Sequence, residues 1–135
     1  MLTSNIAERE HDAKRTITPG ARLWLAVDRK FFGPGVVRLL TLIEKTGSIK
    51  KACEEMGLSY TKARKIVADM EHELGCDIVI SQQGGQRGSS SVLTEVGKEL
   101  LERYEMFEAE CKSMIKEAFD RNFKGFMPQP DNESS

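Results

Sequence analysis

The stretch GSIKKACEEMGLSYTKA, residues 47–63, decides the fold of this 135-residue chain. Ser48 and Ser59 each stand where a helix can begin, because a serine hydroxyl accepts a hydrogen bond from an unpaired first-turn N–H group. The helix after Ser48 ends at Gly57, a residue type that adopts the positive φ of a tight turn without strain. Since only Gly57 and Leu58 separate the two helices, the stretch predicts a helix-turn-helix unit.

A further helix is predicted on each side of this unit. Upstream, Pro34 suits the first turn of a helix, and apolar residues follow it at helical spacing as far as Gly47. Downstream, Thr94 can cap a last helix that runs to about Arg121. The helix-turn-helix is therefore flanked by helices that can supply a core.

Two short β-hairpins complete the pattern. The apolar run at 23–27 and the pair at 31–32 flank a polar turn and predict the first hairpin. The runs at 78–80 and 92–93 predict the second, and the loop between them, 82–91, is polar, rich in glycine and free of acidic residues. A hairpin that follows the second helix of a helix-turn-helix is called a wing. The predicted fold class is mainly α with small β-hairpins, a winged helix-turn-helix with a long C-terminal dimerisation helix.

Composition divides the chain into four segments. Residues 1–20 are charged, lack apolar periodicity and end in Thr18-Pro19-Gly20, so they are predicted to be a mobile N-terminal arm. Residues 21–94 form the predicted winged helix-turn-helix domain, and 95–122 form the long dimerisation helix. Residues 123–135 carry two prolines and several polar residues, which predicts a flexible tail.

Charge is unevenly distributed along the chain. The net charge of the whole chain is −1. Residues 22–94 contain 11 Lys and Arg against 8 Asp and Glu, a net charge of +3, whereas residues 95–120 contain 4 against 8, a net charge of −4. A basic helix-turn-helix suits a nucleic-acid partner, and the acidic last helix suits a role away from DNA.

Several classes of function have no support in the sequence. No apolar run approaches the roughly 20 residues of a membrane span, and 1–18 lack the apolar core of a secretory signal, so we expect a cytoplasmic protein without a membrane partner. The three cysteines are an odd number at wide spacings and predict free thiols, not a metal site or a disulfide framework. The two histidines have no companion residues for catalysis. We therefore expect no enzyme, no metal and no cofactor.

The run at 47–63, followed by Val92-Leu93-Thr94-Glu95-Val96-Gly97, resembles the winged helix-turn-helix of LysR-type regulators, and in particular the DNA-binding domain of the molybdate-responsive ModE group. That group shares the Gly-Ser-Ile opening, the Ser-Tyr pair at the start of the recognition helix, the glycine-rich wing and the Leu-Thr before the long helix. The resemblance extends from about Arg22 to Phe119. Cys53 stands where such motifs prefer alanine, a change of one small residue for another.

The resemblance implies a prokaryotic DNA-binding regulator. It does not imply molybdate sensing, because the oxyanion-binding module of the molybdate regulators would follow the long helix and is not in this sequence. The large effector domain of LysR proteins is likewise not in it.

The predicted DNA contacts lie on three elements. If the apolar residues of the recognition helix face inward, the polar residues of its first turns face solvent, and this end of such a helix enters the major groove. The preceding helix crosses the phosphate backbone, and an arginine in a wing loop commonly enters the minor groove or pairs with a phosphate. The predicted DNA-binding residues are Lys50, Lys51, Ser59, Tyr60, Thr61, Lys62, Arg64, Lys65 and Arg87.

The last helix is predicted to make a homodimer. At 1.5 Å per residue, about 26 residues form a rod of roughly 39 Å, longer than so small a core can cover. One side of it carries an apolar stripe at steps of four and three. The stripe consists of Leu100, Tyr104, Phe107, Cys111, Met114 and Ala118. The alternative is that the helix folds back on its own domain.

These observations predict a DNA-binding transcription regulator that acts as a homodimer on an inverted-repeat site. Two alternatives stay open at this point. A winged-helix module that binds protein and not DNA would agree with the acidic helix and the near-neutral total charge. A regulator controlled by a small ligand would need a pocket at the dimer interface, lined by residues such as Tyr104 and Phe107.

Overall fold

A computed structural model describes residues 15–82 and 90–130 of the chain. Within these residues there are four helices and two antiparallel two-stranded hairpins. In chain order they are β1 (Leu25–Ala26), β2 (Lys30–Phe32), α1 (Pro34–Thr46), α2 (Ile49–Met56), α3 (Tyr60–Leu74), β3 (Val79–Gln82), β4 (Ser90–Leu93) and α4 (Glu95–Asn122). The predicted fold class, mainly α with small hairpins, is confirmed. Residues 1–14 of the predicted arm, 83–89 of the predicted wing loop and 131–135 of the predicted tail lie outside the described residues.

The three predicted helix caps are present. The Ser48 hydroxyl accepts a 3.1 Å hydrogen bond from the backbone N–H of Lys51, and the Ser59 hydroxyl accepts one of the same length from Lys62. The Thr94 hydroxyl accepts a 3.1 Å bond from the N–H of Gly97. Each cap satisfies a donor that the helix itself leaves unpaired, which fixes the starts of α2, α3 and α4.

The turn between α2 and α3 has the predicted geometry. Gly57 has φ of 70° and ψ of 24°, in the left-handed region where a side chain would be strained. The N–H of Leu58 then donates a 2.9 Å bond to the carbonyl oxygen of Cys53. This closes the end of α2 and directs the chain into α3 two residues later, so the helix-turn-helix unit is confirmed.

The described chain forms two compact units, one of Arg22–Glu110 and one made of residues up to Ala21 and from Cys111 onward. Helix α4 contributes residues to both. The core of the larger unit receives side chains from every helix and both hairpins. The largest fully buried side chains are Phe32, Leu39, Leu40, Ile43, Met70, Ile78 and Tyr104.

The smaller unit contains an aromatic cluster at the end of α4. The rings of Phe119 and Phe123 stack with their centroids 4.9 Å apart, and Phe126 packs edge-on against Phe123 at 5.9 Å. Phe123 and Phe126 are nonetheless about half exposed. The described residues after α4 are all exposed.

Two carboxylates of α3 hold both hairpins of the larger unit. One carboxylate oxygen of Glu71 accepts bonds from the N–H groups of Ile78, at 2.8 Å, and of Val79, at 3.2 Å. One oxygen of Glu73 accepts bonds from the N–H groups of Arg29 and Asp28, at 2.6 and 3.0 Å. Charge-assisted bonds of this kind are stronger than neutral ones, so α3 is fixed to the turn of the first hairpin and to the start of the second.

The second hairpin is anchored at its base. Its strands pair in the register Val79↔Leu93, Ile80↔Val92, Ser81↔Ser91 and Gln82↔Ser90. The N–H of Ser91 donates a 2.8 Å bond to the carbonyl oxygen of Gly47, at the turn between α1 and α2. The base of the wing therefore lies beside the start of α2, which brings three elements together at one surface.

Candidate nucleic-acid interface

Helix α3 presents one apolar and one polar face, as its sequence predicts. Ala63, Val67 and Met70 are buried in the core. The polar residues of the first turns are all exposed, and Tyr60 is the large side chain among them, at 52% exposure. These exposed residues are Tyr60, Thr61, Lys62, Arg64 and Lys65. The surface is available to a partner, and its contact with DNA stays a prediction.

Ser59 caps α3 at this surface. Its hydroxyl accepts the bond from Lys62 that caps α3, so the side chain fixes the direction in which the first turn points. Ser59 is itself exposed. Any contact that it makes with DNA has to leave this cap in place.

The start of α2 carries the second predicted group. Lys50 and Lys51 are exposed, whereas Ile49, Ala52 and Cys53 are buried against the core. The Cys53 thiol donates a 3.1 Å bond to the carbonyl oxygen of Lys50. Both lysines are thus on the outer side of α2, and Lys50 lines a cavity together with Tyr60 and Arg64 of α3.

A small cavity brings part of the predicted set together. It has a volume of about 160 Å³ and lies between the starts of α2 and α3 and the base of the wing. The polar residues that line it are Ser48, Lys50, Tyr60, Arg64, Ser81 and Ser91. The two wing serines are absent from the sequence prediction. In the sequence, Ser81 and Ser91 are marked only by their positions near the ends of two apolar runs. Those positions do not show that the serines face α2.

Lys65 lies in a different environment from Arg64. Its ammonium nitrogen is 3.0 Å from a carboxylate oxygen of Asp69, one turn further along α3. It also lines a separate cavity of about 460 Å³ whose other walls include Asp28, His72 and Glu73. The structure therefore groups Arg64 with Lys50 at the wing side of α3. It places Lys65 beside Asp69, in a separate cavity lined by both acidic and basic residues. Arg87, the predicted wing contact, lies outside the described residues.

The predicted stripe on α4 is only partly exposed. Phe107 is 42% exposed and Met114 is 62% exposed, whereas Leu100 packs partly buried against the core. Cys111 and Ala118 are half-buried.

Tyr104 departs from the predicted seam, because it is 2% exposed within its own unit. Its ring packs edge-on against Phe32, with centroids 5.1 Å apart. Its hydroxyl donates a 2.9 Å bond to the carbonyl oxygen of Leu23. Burial raises the pKa of the Tyr104 phenol, the nearby Glu108 carboxylate raises it further, and Arg22 acts in the opposite direction. The face of α4 that packs on the core consists of Gly97, Leu101 and Tyr104, so it is rotated from the predicted stripe. Tyr104 is not available to line a ligand pocket between two copies.

The sequence prediction omitted two large, exposed apolar residues of α4, Val96 and Met106, of which Val96 lies on the side of the predicted stripe. Val96 is 47% exposed. It precedes Leu100 by four residues and Phe107 by eleven, a spacing that keeps all three on one side of a helix. The apolar face that α4 leaves exposed therefore begins at Val96.

In residues 15–82 and 90–130, no group of three or more His, Cys, Asp or Glu side chains could hold a metal ion. No helix in this part of the chain combines the length and the apolar character that crossing a bilayer requires. The three cysteines are free thiols, Cys53 buried, Cys111 half-buried and Cys76 exposed.

A capped helix-turn-helix, a wing at its side and a basic outer face together define a winged helix-turn-helix protein. Residues 36–103 match the family described as "Bacterial regulatory helix-turn-helix protein, lysR family". The chain belongs to this family, as the resemblance predicted.

Three curated relatives illustrate the match. The molybdenum-pterin-binding protein MopB of Rhodobacter capsulatus is 41% identical over 79 residues, 58% of this chain and 29% of that protein. The molybdenum transport protein ModE of Azotobacter vinelandii is 31% identical over 85 residues, 63% of this chain and 32% of that protein. The HTH-type transcriptional regulator TdcA of Escherichia coli strain K12 is 34% identical over 73 residues, 54% of this chain and 22% of that protein. The chain thus spans about a third or less of the length of these relatives.

Proposed function

We propose that this protein is a cytoplasmic transcription regulator that binds double-stranded DNA as a homodimer at an inverted-repeat site, and that it acts by binding and not by catalysis. The observation that supports this most is the exposed start of α3, which carries Tyr60, Thr61 and Lys62 with Arg64 one turn further on. In helix-turn-helix proteins this end of the recognition helix enters the major groove.

The roles of the side chains follow from their chemistry. Lys62 can donate to guanine edges, and Arg64 can donate to a guanine edge or to a phosphate. The hydroxyls of Tyr60 and Thr61 can likewise bond either a base or a phosphate. Lys50 and Lys51, at the start of α2, neutralise backbone phosphates and so set the position of the protein without reading sequence. Arg87 of the wing loop is assigned to the minor groove or to a flanking phosphate.

Assembly is assigned to α4. Val96, Leu100 and Phe107 lie on one side of this helix, and Val96 and Phe107 are each more than 40% exposed. A second copy that packs against the same residues would bury them by a two-fold symmetric contact. Such a dimer places two recognition helices about 34–36 Å apart, which is one turn of DNA and gives an inverted repeat. Tyr104 is left out of this seam because it is buried in its own core.

Selection from random double-stranded DNA with the whole chain tests the proposal. We expect the enriched sequences to share two inverted half-sites with centres roughly 10 base pairs apart. Fluorescence anisotropy on the selected site should then show binding that weakens as salt rises, since phosphate contacts release counterions. No enrichment, or binding independent of salt, would instead favour a winged-helix module that recognises protein.

Matched variants test whether DNA binds at the proposed surface. Lys50→Ala should weaken binding to selected and unrelated DNA alike and lower the salt dependence by about one counterion. Arg38→Ala is the control, because Arg38 is exposed on α1 and does not line the cavity between α2, α3 and the wing. A loss of affinity in the Arg38 variant equal to that of the Lys50 variant would contradict the assignment.

A further inference from the structure

The cavity beside α2 contains a polar group that has no hydrogen-bond partner among the described residues. Ser91 is 6% exposed, the one polar residue among the described ones that is classed as buried. No hydrogen bond of its hydroxyl is formed within the described residues, although its backbone N–H is bonded to Gly47. The residue is thus more than nine-tenths buried, and its hydroxyl is available to bond a ligand that enters the cavity.

The Ser91 hydroxyl is not fully enclosed. Over the described residues, no side-chain nitrogen or oxygen atom is both fully buried and unpaired, so this oxygen retains a small accessible area. Ser91 lies on the inward side of β4, as Leu93 does two residues later, and it lines the cavity. Ser81 is its direct partner across the hairpin and lines the same cavity. Residues opposite each other in a sheet share a face, so both hydroxyls belong to one wall.

The other walls are positively charged. Lys50 and Arg64 line the cavity from α2 and α3, and none of the described residues that line it is acidic. Within the described residues neither cation has a carboxylate within ion-pair distance. The start of α2 adds the backbone N–H groups of Ile49 and Lys50, the first-turn donors that are left after Ser48 accepts bonds from Lys51 and Ala52. Such donors at a helix start favour an anion. Two cations, unpaired hydroxyls and a helix start are the donors that a tetrahedral oxyanion requires.

We propose that this cavity binds one tetrahedral oxyanion, a single phosphate group of the DNA backbone, with Ser91 and Ser81 as ligands from the wing and Lys50 and Arg64 as ligands from the helix-turn-helix. This inference rests on the proposed function and adds to it a specific binding site for one phosphate. Because the ligands come from three elements, the bound phosphate fixes the wing relative to α2 and α3. The base of the wing, and not only its loop, is then part of the DNA interface.

Ser91→Ala in the whole chain is the central test, with Ser90→Ala as its matched control. Ser90 is the preceding residue of β4, is exposed and does not line the cavity. A hydrogen bond to a charged group supports roughly a ten-fold or larger effect, so Ser91→Ala should weaken binding to the selected DNA by at least about ten-fold. Ser90→Ala should leave the affinity unchanged. Circular dichroism and thermal unfolding verify that both variants are folded.

Neutral phosphate analogues identify the phosphate concerned. Methylphosphonate is placed at one backbone position of the selected site at a time. At the position that faces the cavity, the analogue should weaken DNA binding by the wild-type protein. It should add little to the loss of affinity in Ser91→Ala, because both changes remove the same contact. If the losses add at every position, the cavity holds no phosphate in the complex.

Titration with inorganic phosphate separates this inference from the proposed function. At constant ionic strength, with chloride as the reference, amide NMR signals of Lys50, Ser81 and Ser91 should shift and saturate in the wild type, and not in Ser91→Ala. If DNA binding fails while these shifts appear, the proposed function is wrong and the oxyanion site stands, with a free oxyanion as its ligand. The opposite outcome is that Arg64→Ala weakens DNA binding, Ser91→Ala does not, and phosphate causes no shifts. The proposed function then stands and the phosphate-binding site is overturned.

A second variant guards against misfolding. If Ser91→Ala does not fold, Ser81→Ala takes its place, since Ser81 is exposed and lines the same wall. Wild-type affinity for DNA and unchanged phosphate shifts in a folded Ser81→Ala would then overturn the assignment of the wing hydroxyls.

Discussion

The phenolic hydroxyl of Tyr104 donates a 2.9 Å hydrogen bond to the backbone carbonyl oxygen of Leu23, 81 residues earlier in the chain. The bond connects α4 with the segment that leads into the first hairpin. The Tyr104 ring is 2% exposed and packs against Phe32 of the same hairpin. This residue therefore fixes the rotation of α4 on the domain, which determines the side of the helix that stays exposed.

Removal of that hydroxyl should lower stability without a change of fold. Tyr104→Phe keeps the ring in the core but leaves the Leu23 carbonyl oxygen without this donor. We expect the free energy of unfolding to fall by about 0.5–1.5 kcal/mol. Urea denaturation followed by circular dichroism measures it. Tyr60→Phe, at the other tyrosine, is the control, because Tyr60 is 52% exposed and should change stability little. Equal effects of the two variants would contradict the role of the Leu23 bond.

Alkaline pH should destabilise the wild type through the same residue. Burial, and to a lesser extent Glu108, hold the pKa of Tyr104 above its usual value of 10.0 in the folded chain. Below pH 10 both states keep the proton and this contribution to stability is complete. As pH rises from about 10 through the folded pKa, the unfolded chain ionises first, so stability falls.

The comparison of variants isolates this effect from other groups that titrate at high pH. Denaturation between about pH 8 and about pH 11 should show a steeper loss for the wild type and for Tyr60→Phe than for Tyr104→Phe. Parallel curves for all three proteins would show that Tyr104 titrates normally.

Gly97 should not tolerate a side chain. It lies in the first turn of α4, and a Cβ atom built there would stand 2.7 Å from the carbonyl oxygen of Ile78 and 3.1 Å from an Ile78 methyl carbon. Backbone cannot yield as a flexible side chain can, so Gly97→Ala should lower the free energy of unfolding by about 1–3 kcal/mol.

The matched control for this substitution is Gly35→Ala. Gly35 also lies near the start of a helix, in α1, and a Cβ atom there would meet no atom within 4 Å. Thermal unfolding should show Gly35→Ala equal to or slightly more stable than the wild type, because alanine is the better helix former. A Gly97→Ala protein as stable as Gly35→Ala would mean that α4 can move off Ile78 at no cost.

Arg64 and Lys65 should contribute unequally to DNA binding, although they are neighbours in sequence. Arg64 lies with Lys50 at the cavity beside the wing, whereas the Lys65 ammonium group is paired with Asp69 at 3.0 Å. Arg64→Ala should weaken binding to the selected site by about 1–3 kcal/mol if its contact is bidentate to a base, and by less if the contact is to a phosphate. Lys65→Ala should cost less, since part of its charge is already balanced. Fluorescence anisotropy on folded variants measures the two affinities. A larger loss of affinity for Lys65→Ala than for Arg64→Ala would contradict the larger role given to Arg64.

A carboxylate at Phe107 should break the proposed dimer. Phe107 is 42% exposed on the apolar side of α4, and a two-fold seam would bury two introduced carboxylates, at a cost of several kcal/mol. Phe107→Asp should sediment as a monomer with a folded helix-turn-helix and weak DNA binding, since each monomer holds one half-site alone.

Ala109→Asp provides the control for the seam. Ala109 is exposed and, at two residues from Phe107, lies on the opposite side of a helix with 3.6 residues per turn. Its aspartate should leave the mass in sedimentation velocity unchanged. If both variants stay dimeric, the seam lies outside α4. If both dissociate, the seam is not confined to the Val96 to Phe107 side.

The helix-turn-helix could be predicted from sequence because its signals are local. A serine cap and a glycine end act within one turn of the chain, so Ser48, Gly57 and Ser59 define α2 and α3 wherever the rest of the protein lies. The exposed start of α3 could also be predicted, because the buried positions Ala63, Val67 and Met70 lie on one side of the helix and leave the other side exposed. The family match at 36–103 agrees with that local pattern.

Only the tertiary structure decided the rotation of α4 and the composition of the cavity. Apolar positions on neighbouring sides of a helix overlap in sequence, so periodicity alone did not separate the core face of Gly97, Leu101 and Tyr104 from the exposed side of Val96 and Phe107. The rotation is set by contacts distant in sequence, the Tyr104 bond to Leu23 and the close approach of Gly97 to Ile78.

The grouping of Ser91 with Lys50 and Arg64 has the same origin. It depends on the pairing of two wing strands and on the bond from Ser91 to Gly47. A sequence on its own determines which residues are polar and which turn of the helix they occupy. The packing of elements far apart in the chain determines which of those polar residues share one surface, because that depends on how the whole core is filled.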